Sequence, residues 1–402
     1  MAGSPIPGPR QALTAMLDHA SRHSPHYREQ DWARHLRENC SLDLGEIPIT
    51  LKRTVKAAPE SFFSSFVAPE DGAVMDKHTS GSTGEPMPVR KTARHFKFNE
   101  MENQRLRNGW GYADHRRAVR VLSHEANLKL GTLKEEPLPR GGHLWTLVSV
   151  DADAVFDLLR RSSATLALSF PSVMTEVLER SREASQPLPL RLVSTVSELV
   201  SEELRELVRQ IPGCRLADQY GSVETGLIAM QCPLCEAYHP ADRHLVFELV
   251  GKDDRPVAPG DMGRVVVTPL FNTAMPLLRY DTGDYAVERI GNHCPRSSRA
   301  IERILGRERN LFTLPNGRKV VPGLPAGPLW ELGVRRFKLF QTTLHEVEFH
   351  YIPRPGIDDV PAAGFQALMD RYMSPDLKVR AVRVGELSRS PSGKYLMHES
   401  LV

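Results

Sequence analysis

The feature that most constrains the fold of this chain is a regular alternation of short apolar runs and amphipathic helical stretches between residues 118 and 210. Three apolar runs have the length and composition of buried strands: 118–122, 166–170 and 190–196. Three stretches with helical character lie between or after these runs: 153–160, 172–184 and 201–210. Because such alternation is typical of a sheet covered by helices, it predicts an α/β fold with a largely parallel sheet.

The chain changes character twice beyond this region. Apolar runs at 244–250 and 264–268 predict two strands joined by a turn-rich loop, within a β-rich module over residues 230–300. Towards the carboxyl end, short strands alternate with one helix, which is enough for a small α+β domain. We therefore predict a large α/β amino-terminal domain of mixed and parallel sheets, residues 1–307, and a small mobile α+β domain, residues 308–402.

Composition narrows the class of protein. The 402 residues exceed one ordinary core, and the 52 basic and 49 acidic residues give a net charge of +3, too balanced to favour nucleic acid or a membrane as partner. No apolar run approaches the roughly 18 residues that span a bilayer, and the amino-terminal residues lack the apolar segment of a signal peptide. The five cysteines do not have the spacing of a disulfide framework. We predict a cytoplasmic protein, and the oligomeric state stays open.

A stretch rich in hydroxyl groups stands at residues 79–86, Thr-Ser-Gly-Ser-Thr-Gly-Glu-Pro. Backbone N–H groups of such a glycine-rich loop can surround an anion, and the hydroxyl groups add further donors for a phosphate. The same composition also describes a solvated polar turn. It is not a Walker loop, because no Gly-Lys-Ser/Thr closes it and Glu85 stands where a lysine might be expected. By itself this stretch leaves both interpretations open.

Three further stretches combine reactive residue types with turn residues. Residues 220–224, Tyr-Gly-Ser-Val-Glu, place an aromatic ring, a hydroxyl and a carboxylate together, which suits stacking on a base and binding of Mg²⁺. Asp284 is predicted to lie in a tight turn, where its carboxylate could accept both hydroxyl groups of a ribose. Lys394 follows Ser-Pro-Ser-Gly and could neutralise charge that develops on a carboxylate and a phosphoryl group. Each stretch also fits a plainer interpretation, an ordinary turn or a solvated lysine near the chain end.

A cluster of possible metal ligands begins with Cys232-Pro-Leu-Cys235 and His239, and Cys294 is the next cysteine along the chain. A Cys-x2-Cys pair with a nearby histidine suits tetrahedral Zn²⁺, although two buried cysteines and a surface histidine would give the same pattern. Three side chains compete for the fourth ligand position: Cys235, His293 and His244. We predict a structural zinc ion that stabilises the β-rich module.

Taken together, in this order and spacing, these stretches resemble those of the adenylate-forming superfamily, which contains the acyl- and aryl-CoA synthetases. The chain looks most like the branch of the phenylacetate-CoA ligases and coenzyme F390 synthetases, and the resemblance covers nearly the whole chain. It includes residues 25–28, Pro-His-Tyr-Arg, residues 47–52, Ile-Pro-Ile-Thr-Leu-Lys, and residues 274–280, Ala-Met-Pro-Leu-Leu-Arg-Tyr.

The resemblance implies that ATP activates a carboxylic acid, an aryl acid in this branch, to an acyl-adenylate with release of pyrophosphate. The acyl group would then pass to a thiol, that of coenzyme A. The resemblance implies roles for these residues: Thr79, Ser80, Gly81, Ser82, Thr83 and Gly84 at the ATP phosphates, Tyr220, Gly221 and Ser222 at the adenine and acid pocket, Glu224 on Mg²⁺, Asp284 on the ribose, Arg307 at the nucleotide, Arg309 as the hinge, and Lys394 in adenylation. Residues at the substrate pocket would be Ser194, Glu198 and His124.

The sequence departs from the family pattern at three places, and the third bears on the acceptor. Glu85 replaces a frequent lysine of the phosphate loop, and Arg309 stands at the hinge where the family often has an aspartate. The glycine-rich segment that normally shapes the thiol channel is reduced to residues 316–317, Asn-Gly. A carrier-protein thiol or an amine are therefore alternative acceptors to coenzyme A.

A second alternative is that the protein is not an enzyme. The cysteine cluster and the balanced charge would also fit a non-catalytic binding protein built on a decayed ligase fold. The joint presence of Glu224, Asp284 and Lys394 favours the enzyme instead.

Overall fold

The computed structural model describes most of the chain, in these ranges: 7–39, 42–79, 86–123, 128–138, 141–291, 294–297, 299–358, 360–389 and 395–402. Within these ranges the α-helices are the following: α1 (Pro9–His23), α2 (Pro25–Arg28), α3 (Asp31–Asn39), α4 (Lys52–Ala57), α5 (Ala93–Asn108), α6 (Ala152–Ser162), α7 (Pro171–Glu183), α8 (Glu202–Arg209), α9 (Ala326–Leu332) and α10 (Ala362–Tyr372). None of these helices has both the length and the apolar character needed to cross a bilayer.

The strands of the same ranges are short and numerous. They are β1 (Thr50–Leu51), β2 (Val74–His78), β3 (Pro88–Thr92), β4 (Arg117–Leu122), β5 (Leu133–Pro137), β6 (His143–Val148), β7 (Leu166–Ser169), β8 (Leu192–Val196), β9 (Arg215–Ser222), β10 (Gly226–Gln231), β11 (Tyr238–Pro240), β12 (Leu245–Val250), β13 (Met262–Pro269), β14 (Tyr280–Glu288), β15 (Ile301–Arg307), β16 (Phe312–Thr313), β17 (Lys319–Val320), β18 (Val334–Gln341), β19 (Glu346–Pro353), β20 (Lys378–Arg383) and β21 (His398–Ser400).

The chain forms two compact units, each from two separate segments. The first unit comprises Met1–Asp114 and Ala217–Ile304, and the second comprises His115–Leu216 and Leu305–Val402. The predicted boundary at residue 307 lies close to the passage into the second unit after Ile304. The second unit also includes the segment from His115, so the division into 1–307 and 308–402 stays a prediction.

The first unit is organised around antiparallel strands. Strand β13 lies between β12 and β14, and β10 lies between β9 and β11, all in antiparallel pairs. The short β1 pairs with β14 in parallel, which places the start of α4 beside that strand. Buried side chains of α1 to α3 pack with those of β12 to β14 in one continuous core.

The second unit contains the parallel sheet predicted from the alternating pattern. Strands β8, β7, β4 and β6 are neighbours in that order and run parallel, and β5 adds an antiparallel edge. Helices α6, α7 and α8 bury their apolar faces in the core of this sheet. Helices α6 and α8 begin at the caps Asp151 and Ser201, whose side chains accept N–H groups of the first turn.

The carboxyl-terminal residues of the second unit form a smaller sheet with the strand order β20-β19-β18-β21. Strands β18 and β19 form an antiparallel pair, whereas β20 and β21 are added in parallel on either side. Phe365 of α10 packs on Phe349 and Tyr351 of β19. These side chains belong to a core that is separate from the core of the parallel sheet in the same unit. This is the small α+β arrangement that the sequence predicts.

Candidate active site

A buried carboxylate lies in the turn between β9 and β10 of the first unit. The Oε1 atom of Glu224 accepts a hydrogen bond from the Lys52 ammonium at 2.6 Å and one from the Tyr280 hydroxyl at 3.2 Å. Burial by itself would raise the pKa of Glu224, but the Lys52 ammonium and several hydrogen bonds outweigh it, so the pKa lies below the ordinary value. Glu224 is therefore ionised at neutral pH and can serve as a ligand for a cation.

The partners of Glu224 meet through the pairing of two strands. Thr50 of β1 lies opposite Tyr280 of β14, and Lys52 follows at the start of α4. Burial first, and the charge of Glu224 second, raise the pKa of Tyr280 well above the ordinary value, so its hydroxyl stays a donor. The sequence assigns no role to Lys52 or Tyr280, although both stand in segments that carry the family resemblance.

An aromatic ring and a second carboxylate meet in the same unit. The hydroxyl of Tyr220 donates to Oδ2 of Asp284 at 2.8 Å, and it also lies 3.4 Å from the hydroxyl of Thr282. The ring offers a face for stacking on a base, and the carboxylate can accept hydroxyl groups. Tyr220 and Asp284 therefore lie together, as their assignment to one nucleoside site requires.

The prediction that Asp284 lies in a tight turn is wrong. Asp284 is part of the nine-residue strand β14. Gly283 has a φ of 79°, which a glycine adopts without strain, and the register of β13 against β14 shifts between Arg264 and Val266. A bulge within a strand uses the same glycine and aspartate residues as a turn, and this explains why the local sequence misleads.

Gly221 and Ser222 determine the backbone conformation where β9 leads into the turn that contains Glu224. A Cβ atom at Gly221 would lie 2.5 Å from the carbonyl oxygen of Gly226, so the close approach of β9 and β10 requires a glycine there. The Ser222 hydroxyl accepts the N–H of Thr225 at 3.2 Å and lies 3.0 Å from its hydroxyl. These contacts shape the turn that presents Glu224.

The hydroxyl-rich stretch connects two paired strands. Strands β2 and β3 are antiparallel with His78 opposite Pro88, and Thr79 closes the pairing through the N–H of Met87, which donates to its hydroxyl at 2.9 Å. Several predicted site residues lie outside the described residues: Ser80, Gly81, Ser82, Thr83, Gly84, Glu85, His124, His293 and Lys394. Their assigned roles stay predictions.

The remaining predicted site residues belong to the second unit. Ser194 is buried in β8. Glu198 follows that strand and accepts backbone N–H groups from Ser172 and Tyr395. Arg307 ends β15, and Arg309 lies in the adjoining 3-10 turn with its guanidinium 3.8 Å from the carboxylate of Glu399.

A cluster of four possible metal ligands lies in the first unit. The side chains of Cys232, Cys235, His239 and Cys294 each present one ligand atom, and these atoms lie within 4.8 Å of one another. The sulfur atoms of Cys232 and Cys294 are 3.8 Å apart, and Nε2 of His239 lies 3.2 Å from Cys294 Sγ and 3.5 Å from Cys235 Sγ. Such separations are those of donors around one tetrahedral ion with bonds of about 2.0 to 2.3 Å.

The surroundings of His239 also suit a metal ligand. Its Nδ1 lies 2.8 Å from the backbone carbonyl oxygen of Arg299, which orients the ring and directs Nε2 towards the sulfur atoms. Burial lowers the pKa of His239, so the imidazole is neutral at neutral pH. His244 lies elsewhere, with Nε2 3.0 Å from the carbonyl of Thr225, so Cys235 completes the described set.

The motifs and the fold define a class of protein. The sequence matches the family of AMP-binding enzymes over residues 16–274, which is more than half of the chain. The chain belongs to this family, and the resemblance to adenylate-forming ligases that the motifs indicate is confirmed.

Two relatives share the phenylacetate-CoA ligase name. The phenylacetate-coenzyme A ligase of Pseudomonas putida is 25% identical over 334 residues, and the match covers 78% of this chain and 72% of that protein. The enzyme of the same name from Thermus thermophilus is 25% identical over 368 residues, with 85% of this chain and 78% of that protein covered.

Solved structures show the same fold. A 2-hydroxyisobutyryl-CoA ligase in its postadenylation state matches with a TM-score of 0.70 at 15% identity, covering 97% of this chain and 88% of that chain. The amide bond synthetase McbA of Marinactinospora thermotolerans matches with a TM-score of 0.56 at 16% identity, covering 79% of this chain and 66% of that one. The predicted mixed α/β fold class is confirmed.

Proposed function

We propose that this adenylate-forming ligase joins an aryl carboxylic acid to the thiol of coenzyme A, with an enzyme-bound acyl-adenylate as intermediate. The observation that carries the proposal is the family match, because residues 16–274 contain the hydroxyl-rich stretch and Glu224. The names of the two relatives favour an aryl acid and coenzyme A as substrates.

In the first half-reaction a carboxylate oxygen of the acid attacks the α-phosphorus of ATP, and pyrophosphate leaves. We assign the stretch 79–84 to the phosphates, Tyr220 to the adenine ring and Asp284 to the ribose hydroxyl groups. The contact between Tyr220 and Asp284 supports this assignment, since base and ribose of one nucleotide lie side by side. Catalysis then depends mainly on positioning and on neutralisation of charge.

We assign Glu224 to the magnesium ion that accompanies ATP. Mg²⁺ is typically held by one or two carboxylates and by phosphate oxygens, and there it neutralises charge on the phosphates. Glu224 fits this role because its carboxylate is ionised, and its Oε1 atom accepts hydrogen bonds from the Lys52 ammonium and the Tyr280 hydroxyl. Lys52 would keep the buried carboxylate paired whenever the ion is absent.

In the second half-reaction the thiol sulfur attacks the carbonyl carbon of the acyl-adenylate, and AMP leaves. We assign Lys394 to the first step and the hinge at Arg309 to the rearrangement that removes Lys394 before the second. Gating of consecutive steps by domain motion is a general device. The short segment 316–317 makes the acceptor the part of the proposal that most needs a direct test.

We assign the four-residue cluster to a structural zinc ion. Three thiolates and one neutral imidazole would complete a tetrahedral shell, and a closed shell of protein ligands is typical of structural zinc. The ion would connect the turn after β10, strand β11 and the segment after β14.

The proposal is tested by acid-dependent exchange of pyrophosphate into ATP with a panel of phenylacetate, benzoate, anthranilate and acetate. Aryl acids are expected to drive exchange and acetate to drive it weakly. AMP release is then measured with coenzyme A, with a small amine and with neither. Faster AMP release with the amine than with coenzyme A would show that an amine, and not coenzyme A, is the preferred acceptor. Lack of pyrophosphate exchange with every acid would contradict the proposed function.

A further inference from the structure

A cluster of hydrogen-bonded groups in the second unit adjoins both ends of the segment 390–394, which contains Lys394. Its members come from three parts of that unit: Ser172 and Glu176 of α7, Glu198 after β8, and Arg389 and Tyr395 of the carboxyl-terminal residues. From the sequence only Glu198 has a predicted role, in the substrate pocket. The contacts indicate an additional task for it.

Glu198 holds the residue that follows the segment. Its Oε1 accepts the backbone N–H of Tyr395 at 2.7 Å, and its Oε2 accepts the backbone N–H of Ser172 at 2.9 Å, in the first turn of α7. The hydroxyl of Tyr395 donates to the backbone carbonyl of Phe337 in β18. Tyr395 thereby links Glu198 to the small sheet of the carboxyl-terminal residues.

The backbone before Glu198 is itself unusual. Ser197 has a φ of 75°, a conformation that residues with a Cβ atom seldom adopt. Such a conformation persists where surrounding contacts determine it, and here it turns the chain from β8 so that Glu198 faces α7 and Tyr395.

Arg389 holds the residue that precedes the segment. Its guanidinium donates to the hydroxyl of Ser172 at 2.7 Å and to Oε1 of Glu176 at 2.7 Å. The side chains of Arg389 and Glu176 keep only 22% and 24% of their exposure, so water screens this ion pair less than a pair at the surface. Arg336 of β18 adds a further pair with Glu176 and one with Glu179 at 3.0 Å.

We propose that Glu198 and Arg389 are positioning residues for adenylation. By tying residues 389 and 395 to α7, they hold the two residues that flank the five-residue segment containing Lys394. A short segment with both ends fixed has far less conformational entropy to lose than one with a free end. The proposal rests on the proposed function, in which Lys394 serves the first half-reaction and leaves before the second.

This arrangement gives the cluster a selective effect. Its contacts support the half-reaction to which Lys394 is assigned, whereas attack of the thiol on the adenylate does not use Lys394. Loss of the cluster therefore weakens the first half-reaction and spares the second. A purely structural role would instead affect both half-reactions alike.

The test compares Glu198→Gln and Arg389→Met with Arg389→Lys, which retains the charge. Arg380→Met is the matched control, because Arg380 of β20 is exposed and pairs within the small sheet with Glu348. The first half-reaction is followed as pyrophosphate exchange with the panel acid that wild-type protein uses fastest. The second is followed as attack of coenzyme A on the purified adenylate of that acid.

We expect Glu198→Gln and Arg389→Met to lower the exchange rate about tenfold, the effect of leaving a buried hydrogen-bonding group without its partner. Reaction of the supplied adenylate should stay within about twofold of wild type, since that step does not use the lost contact. Arg389→Lys should recover part of the exchange rate, and Arg380→Met should behave as wild type. Lys394→Ala should abolish pyrophosphate exchange and leave the reaction of the supplied adenylate largely intact.

Equal loss of both half-reactions, or unchanged exchange in both variants, would overturn the proposal. If Arg389→Met does not fold, as judged from its thermal midpoint, Glu198→Gln and Arg389→Lys decide the question. Hydrogen–deuterium exchange at residues 395–402 provides a readout without turnover, and it should be faster in Glu198→Gln than in Arg380→Met. If none of the panel acids drives pyrophosphate exchange in the wild-type protein, the proposed function fails. If amide exchange at residues 395–402 in Glu198→Gln is the same as in wild type, the proposed anchoring by Glu198 is overturned.

Discussion

Single charged residues of this chain depend on partners that are remote in sequence. Lys52 and Glu224 are 172 positions apart, yet their side chains form a hydrogen-bonded ion pair in which Glu224 is almost fully buried. A buried carboxylate without a partner would be costly, and removal of one member of a buried pair typically destabilises a protein by about 3–5 kcal/mol. The pair therefore has a structural role in addition to the proposed one at magnesium.

The proposed role of Glu224 is separated from its structural role by Glu224→Gln. The amide keeps the shape and still accepts hydrogen bonds from Lys52 and Tyr280, but it removes the charge that a magnesium ion requires. We expect pyrophosphate exchange to fall about 100-fold, comparable to the loss of one group that stabilises developing charge. Half-maximal exchange should also need more Mg²⁺, which a magnesium titration measures.

Glu60→Gln is the control for this variant, because Glu60 is an exposed glutamate of the same unit. It should leave both the exchange rate and the magnesium requirement unchanged. An unaltered magnesium requirement in Glu224→Gln would show that Glu224 does not bind the ion.

At the level of elements, the cluster of four possible metal ligands brings together three parts of the first unit: the turn after β10, strand β11 and the segment after β14. The short β11 pairs with β10 and meets β15 at the Tyr238–Ile301 pair, and the ligands come from β11 and the segments beside it. Three-residue strands contribute few backbone hydrogen bonds, so ligand bonds to one ion would add much of the local stability.

We predict about one zinc ion per chain, by analogy with closed cysteine and histidine sites. Cys294→Ser should lower the zinc content measured by elemental analysis and lower the thermal midpoint, because three ligands hold the ion less tightly than four. Cys214→Ser is the control, since Cys214 lies in the second unit apart from the cluster. If the purified protein contains no zinc and does not bind added zinc, the assignment of a zinc ion to the cluster is wrong.

Across the whole molecule, stability comes from several separate cores rather than from one. The first unit has a core shared by its amino-terminal helices and its antiparallel strands, and the second unit has one core for each of its two sheets. Charged groups within the second unit couple its stability to pH. Glu203 of α8 is the clearest case, since burial first and the nearby Glu179 second raise its pKa to about 8.

The sign of this coupling follows from proton binding. In unfolded protein Glu203 titrates near its ordinary pKa of 4.5, so between that value and about 8 the folded chain keeps a proton that the unfolded chain releases. The contribution of Glu203 to the free energy of unfolding is therefore present at acid pH and is lost as the pH rises through this window. Glu203→Gln should flatten that dependence, as measured by urea midpoints over the same pH range.

Glu202→Gln is the matched control for the pH series. Glu202 precedes Glu203 in α8 but is exposed and pairs with Arg209 at the surface. It should keep the pH dependence of the wild-type protein. A wild-type slope in Glu203→Gln would show that other groups cause the decrease in stability.

Much of the fold could be predicted from local sequence. The runs at 118–122, 166–170 and 190–196 form β4, β7 and β8, because apolar length and flanking helices are local properties of the chain. The antiparallel strands around the candidate site were harder to predict. Strand β14 contains Gly283 and Asp284, residues that also make turns, so only its pairing with β13 separates a bulge from a turn.

By itself, the sequence of this protein determined strands β4, β7 and β8, helices α6, α7 and α8, and the order of motifs that places it among the AMP-binding enzymes. Only the tertiary structure decided which side chains meet: Lys52 with Glu224, Tyr220 with Asp284, and Glu198 with Tyr395. Periodicity and turn chemistry act over a few residues, whereas these contacts depend on strand register and helix packing across long stretches of chain. That is the physical reason why the hydrogen bond between Glu198 and the backbone of Tyr395 could not be predicted from the sequence.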